Sequence, residues 1–407
     1  MKRIVTSIML ILTLLSATAI AESLPNNAMI YEHPTDPLVV YSFTPLADGS
    51  IVLAGQLRHA GQYRDMPDHV GYEHKEMEVL NDAAAVCLAP DGTKRWEIRL
   101  ADPQAENNFY CRGILPDGRL LMRFAAFDST SFGSHNFIVN QDGVVEEMLP
   151  TSKIAETASP LGITVMPGGY LTDGARYVDA IYGTDYPSSI IMRDFDGNEL
   201  WRYDYRGDAI YEHIGSITER PDGFIICGES EEWDINAKRV SWIAKLDRDG
   251  EVLWHTTYPT LSFGLSFPCF LEDGGMIFTG YYDPGHPALI KLDDNGKLVW
   301  SIPIDDLVGI GGVTTVGDGY VLTGTMDVDA MIHDYLLLYV DAEGKTIGTL
   351  PITGDGGLVP WWPQLLKDEN GDIYVYANLA EPDNAETRMS GDVKKFFYAK
   401  IDEDSFR

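Results

Sequence analysis

The chain has 407 residues, of which 30 are basic and 62 acidic, so its formal net charge at neutral pH is −32. Such a charge repels nucleic acid and anionic lipid surfaces, and it favours cationic, metal or neutral partners. An alternative role for the charge is solvation of an exposed surface. Hydrophobic residues make up 45% of the chain, so we expect a globular protein and not a disordered acidic one.

The N-terminus has the three parts of a secretory signal peptide. Lys2 and Arg3 form a basic start, residues 4–15 are apolar, and small residues lead to a cleavage position after Ala21. The apolar stretch is shorter than the roughly 20 residues that span a bilayer, and no later stretch is apolar enough to do so. We therefore expect residues 1–21 to be removed and the mature protein to be secreted or held in the cell envelope.

A glycine-containing turn recurs after the signal region at intervals of roughly fifty residues. Its copies are Ala47-Asp48-Gly49, Pro116-Asp117-Gly118, Pro167-Gly168-Gly169, Pro221-Asp222-Gly223, Glu272-Asp273-Gly274, Gly317-Asp318-Gly319 and Glu369-Asn370-Gly371. Glycine supplies the positive φ of tight hairpin turns, and aspartate or asparagine commonly precedes it there. Each copy therefore predicts a turn between two strands.

A second turn follows each copy and divides the repeat further. It reads Asp91-Gly92, Asp142-Gly143, Asp196-Gly197, Asp249-Gly250, Asn295-Gly296 and Glu343-Gly344, with a degenerate seventh copy at Asp404-Ser405. Short β-type runs lie between the turns, and amphipathic helical spacing is almost absent. Four short strands in each of seven repeats predict an all-β fold, a seven-bladed β-propeller of four-stranded antiparallel blades.

The two ends of the chain predict how the ring closes. The seventh repeat stops at Arg407, where the other repeats continue into a fourth strand, and residues 28–32 have strand character but no place in the first repeat. We predict that this N-terminal strand completes the last blade as its outer strand, which removes an open sheet edge. The expected organisation is a signal peptide at residues 1–21 followed by one propeller domain at 22–407.

The four cysteines, Cys87, Cys111, Cys227 and Cys269, lack the close Cys-x-x-Cys spacing of structural zinc sites. In the predicted propeller Cys87 and Cys111 fall on adjacent blades, and so do Cys227 and Cys269. Two cross-blade disulfides are one alternative. Buried free thiols are the favoured one, because each cysteine lies inside an apolar strand pattern.

Tryptophan follows the second turn at a fixed position in four repeats, as Trp96, Trp201, Trp254 and Trp300. Repeats three to five share the pattern Asp-x-x-Gly-x-x-x-Trp, and repeat one keeps its glycine and tryptophan. This pattern resembles the tryptophan-docking repeat of PQQ-like β-propellers, which occurs in quinoprotein dehydrogenases and in the propeller lipoprotein of outer-membrane assembly. The resemblance implies that each tryptophan packs on the neighbouring blade and has a structural role.

The resemblance covers most of the mature chain but does not extend to the chemistry. Repeats two and six have Glu147 and Gly348 at the tryptophan position. Quinoprotein dehydrogenases generally have eight blades and a vicinal cysteine pair near the cofactor, whereas this chain has seven repeats and no adjacent cysteines. It therefore looks like a non-quinoprotein member of the family, and we expect no cofactor.

The longer connections of the predicted ring emerge on the face opposite the glycine turns, and binding sites are common on such loops. Aromatic, acidic and histidine residues gather there, and our candidate binding residues are Tyr211, Glu212, His213, Trp233, Tyr281, Asp283, His286, Trp361 and Trp362. Aromatic rings beside carboxylates suit carbohydrate rings or cationic groups. The alternative is that many of these rings simply pack between blades.

The largest of these connections, residues 58–82, holds His59, His69 and His74 among several carboxylates. Histidines in such surroundings are ligands for zinc and other divalent ions. The spacing of His69 and His74 is not that of one helical face, and no HExxH motif is present. We favour an exposed polar loop and expect no metal site.

The sequence contains no phosphate loop, no GxSxG motif and no dinucleotide-binding glycine fingerprint, so no catalytic residue is assigned. The favoured function is an exported, non-catalytic binding propeller that recognises a glycan, a peptide or a protein partner on its long-loop face. The alternative is a propeller-scaffold hydrolase or lyase acting on polysaccharide or peptide, with carboxylates and His213 or His286 as acid–base groups. We expect a monomer that binds no nucleic acid and has no transmembrane segment.

Overall fold

The computed structural model describes residues 24–25, 27–65, 77–101, 106–127, 132–149, 163–166, 169–173, 189–194, 196–204, 211–231, 239–262, 268–282, 286–305, 307–329, 332–368, 370–381 and 393–406. Within these ranges all regular structure is β, apart from one 3₁₀ turn at Glu403–Phe406. No helix in this part of the chain is long and apolar enough to cross a membrane.

The strands form seven antiparallel sheets, which we number as blades 1 to 7 in chain order. The N-terminal strand is β1 (Met29–Tyr31). Blade 1 contains β2 (Leu38–Pro45), β3 (Ile51–Asp65), β4 (Met77–Leu88) and β5 (Lys94–Leu100). Blade 2 contains β6 (Glu106–Ile114), β7 (Leu120–Phe127), β8 (Phe132–Val139) and β9 (Val145–Leu149). Blade 3 contains β10 (Ile163–Met166), β11 (Gly169–Asp173), β12 (Ser189–Arg193) and β13 (Glu199–Asp204).

The remaining four blades follow the same order. Blade 4 contains β14 (Tyr211–Arg220), β15 (Gly223–Glu231), β16 (Arg239–Leu246) and β17 (Val252–Tyr258). Blade 5 contains β18 (Leu261–Ser262), β19 (Cys269–Phe270), β20 (Met276–Tyr282), β21 (His286–Leu292) and β22 (Leu298–Pro303). Blade 6 contains β23 (Gly309–Val316), β24 (Gly319–Asp329), β25 (Ile332–Val340) and β26 (Thr346–Ile352). Blade 7 contains β27 (Val359–Lys367), β28 (Ile373–Ala380), β29 (Val393–Ile401) and β1.

The first strands of the blades surround the centre of the molecule. Strand β2 contacts β6, β6 contacts β10, and β23 contacts β27, while β2 also contacts β28 and β29 of blade 7 and so closes the ring. The predicted seven-bladed propeller is confirmed. Blade 5 differs in one detail from the predicted four strands, because β18 and β19 both pair with β20 and its innermost strand is therefore in two short pieces.

The connections divide between two faces of the ring. The turns from first to second strand and from third to fourth strand are short, and they define the tight-turn face; the other connections define the long-loop face. In the turn at Gly250, which has a φ of +84°, the Asp247 carboxylate accepts hydrogen bonds from the backbone N–H groups of Asp249 and Glu251, each at 2.9 Å. The aspartate that recurs in these turns therefore caps the local backbone.

The hydrophobic core lies between blades, because the side chains of each strand alternate between its two faces. In β15 of blade 4, Phe224 and Ile226 pack with residues of blade 3. The intervening Ile225 and Cys227 pack with residues of blade 5. Each blade is therefore apolar on both faces, and a blade is covered only when it has a neighbour on each side.

Tryptophans on the outer strands lie against the turn glycines of the next blade. A β-carbon on Gly143 of blade 2 would be 2.6 Å from the ring of Trp96 of blade 1, whose indole N–H donates a 2.8 Å hydrogen bond to the carbonyl of Gln141. The contact of the ring with the turn glycine recurs at Trp201 with Gly250 and at Trp254 with Gly296. Trp300 instead packs against the core between blades 5 and 6.

All four cysteines are free thiols in the structure. Cys87 and Cys111 belong to one buried cluster at the interface of blades 1 and 2. Burial raises the pKa of Cys87 to about 11 and that of Cys227 to about 12, so both thiols stay protonated at neutral pH. These cysteines therefore act as small apolar side chains of the core.

Strand β1 pairs antiparallel with β29, with Met29 opposite Tyr398, so blade 7 is built from both ends of the chain. The pairing is supported before the strand begins, where Leu24 packs against the core of blade 7 and the Asn27 amide donates a 2.6 Å hydrogen bond to the Lys400 carbonyl. The N-terminal segment is thus attached to blade 7 by both hydrogen bonds and apolar contacts.

Beyond β1 the segment is attached to blade 1 through His33, whose side chain is fully buried. Its Nε2 lies 3.4 Å from the Glu97 carboxylate on β5, and its Nδ1 lies 3.4 Å from the backbone nitrogens of Thr35 and Asp36. Burial lowers the pKa of His33, although the Glu97 carboxylate acts in the opposite direction. The imidazole is therefore neutral at neutral pH, with Nδ1 accepting from the backbone.

We expect Gly250→Ala to destabilise the protein more than Gly357→Ala, although the two glycines have nearly the same φ, +84° and +85°. A β-carbon on Gly250 would be 2.7 Å from the Trp201 ring, whereas one on Gly357 would meet no atom within 4 Å. The backbone strain of about 1–2 kcal/mol is common to both variants. The extra loss at Gly250, about 1–3 kcal/mol in free energy of unfolding, reports the tryptophan packing. Chemical denaturation measures it, and equal losses would contradict a docking role for Trp201.

We expect the melting temperature to fall as the pH drops from 7 to 5, and His33→Gln to reduce that fall. The unfolded histidine takes up a proton near pH 6.5, but folded His33 has a lowered pKa and does not, so protons favour the unfolded state in this window. Thermal unfolding across the pH range measures the effect, with His286→Gln as an exposed control. A variant with the same pH profile as the parent would show that His33 does not contribute.

Candidate functional site

Five of the predicted binding residues lie on innermost strands, at the end that faces the long-loop side. Tyr211, Glu212 and His213 are the first three residues of β14, and Trp361 and Trp362 are the third and fourth of β27. The topology therefore brings all five to the rim of the central channel. It also separates them, because β14 belongs to blade 4 and β27 to blade 7.

Blade 5 carries two further predicted residues at the same face. The Tyr281 hydroxyl accepts a 3.3 Å hydrogen bond from the backbone N–H of Ile310 on the innermost strand of blade 6, so this ring helps to join two blades. His286 begins β21 and is exposed. The remaining candidates, Trp233 and Asp283, lie outside the described residues.

The channel also contains aromatic and basic residues that the sequence analysis did not select. The pairing register of β2 with β3 skips Tyr41, and that of β6 with β7 skips Arg112, so both occupy β-bulges on innermost strands. A bulge turns its side chain away from the regular alternation of the strand. Tyr41 is 40% exposed, in contrast to Val40 and Phe43 of the same strand, which are buried.

Two tyrosines and an arginine form the centre of this group. The rings of Tyr41 and Tyr110, on neighbouring blades, are stacked with their centroids 5.8 Å apart and their planes at 26°. The guanidinium carbon of Arg112 lies over the Tyr110 ring, 4.4 Å from its centroid. The three side chains therefore form one cluster of two stacked rings and a cation.

Hydrogen bonds hold this arrangement in place. The Ser42 hydroxyl accepts a 2.8 Å hydrogen bond from the Cys111 backbone N–H, which joins β2 to β6 between the two bulges. The Tyr41 hydroxyl donates to the Gln56 carboxamide oxygen at 3.2 Å, and Arg58 Nε donates to the same oxygen at 3.2 Å. Arg58 is thereby placed beside the Tyr41 hydroxyl.

Blade 7 extends the aromatic group on the other side of blade 1. Trp361 packs against the fully buried Val39 of β2, two residues before Tyr41. Next to this contact the Asn378 side chain bonds both backbone groups of Val40, accepting from its N–H and donating to its carbonyl, each at 2.9 Å. We name Trp361, Tyr41 and Tyr110, on the consecutive blades 7, 1 and 2, the aromatic arc.

A repeat alignment contains a signal for the two tyrosines. Tyr41 precedes the turn glycine Gly49 by eight residues, and Tyr110 precedes Gly118 by the same number. In repeats four and six the corresponding position is glycine, as Gly215 and Gly311. A tyrosine that replaces a glycine at a fixed position of the innermost strand is a candidate for the channel.

The inner strands also differ in charge around the ring. The two innermost strands of blades 7, 1 and 2 carry five basic and two acidic residues: Lys367, Arg58, Arg64, Arg112, Arg123, Asp65 and Glu106. Those of blades 3, 4 and 6 carry seven acidic residues and one basic: Asp173, Glu212, Glu219, Glu229, Glu231, Asp327, Asp329 and Arg220.

Histidines of the predicted insertion do not form a metal centre where they are described. His59 lies between two carboxylates, with Nδ1 3.6 Å from Asp36 and Nε2 3.2 Å from Asp82. Within the described part of the chain, no group of three His, Cys, Asp or Glu side chains is arranged to hold a metal ion. His69 and His74 lie outside that part.

The geometry of the aromatic arc suits non-covalent recognition. An exposed tyrosine face stacks on flat or ring-shaped groups, and a guanidinium offers several N–H donors in one plane to an oxygen anion. Tyr41, Tyr110 and Arg112 are already positioned by backbone and side-chain hydrogen bonds and by stacking. A ligand would therefore meet groups whose conformational entropy is already reduced.

No protein-family model matches the chain, and no curated protein resembles it in sequence. Among solved structures, BamB from Moraxella catarrhalis is 12% identical with a TM-score of 0.47, over 92% of this chain and 99% of that one. A neuraminidase-like protein of A/little yellow-shouldered bat/Guatemala is 10% identical with a TM-score of 0.47, over 74% and 96% of the two chains. A mutant NanB sialidase from Streptococcus pneumoniae is 9% identical with a TM-score of 0.45, over 97% and 73%. Similarities this distant transfer neither a ligand nor an activity.

Proposed function

We propose that this chain is a non-catalytic binding propeller that holds its ligand at the long-loop end of the central channel. The observation that carries the proposal is the aromatic arc, in which Tyr41 is 40% exposed on an innermost strand while its ring stacks on Tyr110. An aromatic ring kept partly exposed forgoes the stabilisation that full burial gives, about 1.5–3 kcal/mol for a large apolar side chain. Binding of a ligand accounts for that exposure.

The predicted residues of the rim would extend this site. Tyr211, Glu212 and His213 begin the innermost strand of blade 4, and His286 is exposed at the same face. We propose that these groups contact the part of the ligand that projects from the channel. Their separation from the aromatic arc requires a ligand longer than a single sugar or amino acid.

We further propose that the protein acts outside the cytoplasm as a monomer. The proposed export rests on the basic and apolar N-terminal sequence. Leu24, three residues after the proposed cleavage position, packs against the core between blades 6 and 7, so the proposed mature chain keeps this contact.

We expect Tyr41→Ala to abolish or weaken ligand binding at least tenfold, because it removes the exposed stacking surface of the arc. The measurement is thermal unfolding of the mature protein with neutral oligosaccharides, acidic oligosaccharides and basic peptides, since a ligand at 100 times its Kd stabilises the folded state by about 2.7 kcal/mol. A probe that raises the melting temperature is then titrated against Tyr41→Ala and Trp361→Ala.

The control is Leu253→Ala, which removes an exposed apolar side chain from an outermost strand, far from the channel in the blade order. It should leave the ligand-induced shift unchanged. Trp361 also packs on Val39, so its substitution can change the melting temperature without any ligand. The ligand-induced shift of each variant is therefore measured from that variant's own melting temperature without ligand. A shift that survives in both Tyr41→Ala and Trp361→Ala would place the binding site elsewhere and contradict the proposal.

A further inference from the structure

The outermost strands of blades 3 to 6 carry exposed apolar side chains at one recurring position. Each residue at this position lies three residues after the glycine of its second turn, and the pairing register of its strand skips it. Such a β-bulge turns a side chain out of the regular alternation of the strand. The four residues, each 53–58% exposed, are Leu200, Leu253, Val299 and Ile347. Blades 4 and 5 add the exposed Val252 and Leu298 just before them, and we name these six side chains the outer band.

Contacts between blades make the outer band continuous. The ring of Trp201, which follows Leu200 in the chain, lies against Gly250 of blade 4, and Gly250 is three residues before Leu253. Trp254 makes the same contact with the turn glycine of blade 5, and an isoleucine of blade 5 does so with that of blade 6. The members of the band are therefore neighbours around the circumference of the ring.

Blade 1 shows that the fold does not require an apolar residue at this position. The equivalent residues there, by pairing register, are Lys94 and Arg95. Both are charged and form ion pairs, Lys94 with Glu97 and Arg95 with Asp48. Charged side chains protect an exposed sheet edge against association, whereas a contiguous apolar patch marks an interaction surface. The outer band therefore has the character of a surface that a partner covers.

Acidic residues border the outer band on the side of the tight-turn face. The second turns of blades 3 to 6 together contain nine acidic and three basic residues. These turns are residues 194–198, 247–251, 293–297 and 341–345. Asp249, Glu251 and Glu343 are exposed, and they form no ion pair with any residue that the structure describes. A partner that covers the band meets negative charge along this border, and lysine or arginine there is complementary to it.

The direction of the outer band selects the shape of the partner. A strand added to the free edge of a blade runs along that blade, so it covers residues of one blade only. The band instead crosses from blade to blade, and a segment that follows it cannot continue their hydrogen-bond ladders. Its backbone N–H and C=O groups must be satisfied within the segment, and an α-helix does this.

We propose that the outer band is a docking surface for a partner protein that lays an amphipathic α-helix across blades 4 and 5. The apolar stripe of the helix covers the four band residues of these two blades, and its lysine or arginine residues face the acidic second turns. This surface is separate from the aromatic arc, which lies on the innermost strands of blades 7, 1 and 2. The proposal is therefore independent of the proposed channel ligand.

The test uses three fluorescent peptides of about 18 residues, long enough to form a helix on binding. They share one amphipathic pattern and are built from leucine and lysine, leucine and glutamate, or serine and lysine. Each peptide, at a concentration where it is monomeric, is titrated with the mature protein and followed by fluorescence anisotropy. We expect the leucine–lysine peptide to bind at least tenfold more tightly than the other two, because it alone offers both apolar and basic groups.

The double variant Leu253→Ser/Val299→Ser should weaken binding of the leucine–lysine peptide at least tenfold. The matched control is Val308→Ser/Val359→Ser, which removes two side chains that are 49% and 40% exposed and lie outside the outer band, and it should bind as the parent does. If the first variant does not fold, the single variants Val299→Ser and Val308→Ser give the same comparison.

Three results would overturn the docking proposal. The first is failure of the leucine–lysine peptide to bind, or equal binding of the leucine–glutamate peptide. The second is unchanged binding in the folded Leu253→Ser/Val299→Ser protein. The third is loss of the same binding in Tyr41→Ala, which would place the peptide in the channel and support the channel site instead.

Discussion

Each blade of this protein has two apolar faces, and neither face is covered until another blade packs against it. Strand β15 is an example, since the adjacent residues Phe224 and Ile225 pack against blade 3 and blade 5 respectively. Burial of one such side chain stabilises the fold by about 1.5–3 kcal/mol, and the benefit is lost at any blade that lacks a neighbour. The ring must therefore close, which is why β1 from the N-terminus joins β29 and why His33 reaches across to blade 1.

The same constraint decides where a ligand can bind. The two sides of each blade are covered by the neighbouring blades. The tight-turn face of the ring contains the capped turns and tryptophans such as Trp96. What remains is the channel and its long-loop rim. Bulges on the innermost strands place Tyr41 and Arg112 there, because a residue that the ladder skips is released from the alternation that buries its neighbours.

Charge acts on two length scales in this molecule. Much of the negative charge lies in turns, where aspartates such as Asp247 cap the backbone, and at physiological ionic strength its influence decays over about 8 Å. Inside the ring, nearby charged groups contribute most to the electrostatic potential. Among them, Arg58 shares a hydrogen-bond acceptor with Tyr41, and Arg112 lies over the Tyr110 ring.

Sequence patterns predicted the repeat, the turns and the all-β propeller, because each depends on interactions within about ten residues: a glycine such as Gly250 with positive φ, or a strand whose apolar residues alternate. They also brought Tyr211 and Trp361 to the channel rim, since strand order follows chain order in a propeller. They did not select Tyr41, Tyr110 or Arg112. The stacking of Tyr41 on Tyr110 joins two blades, and the bulges at Tyr41 and Arg112 depend on how the inner strands meet around the ring. Interactions between residues close in sequence thus determined the blades, whereas closure of the ring decided which side chains face the channel.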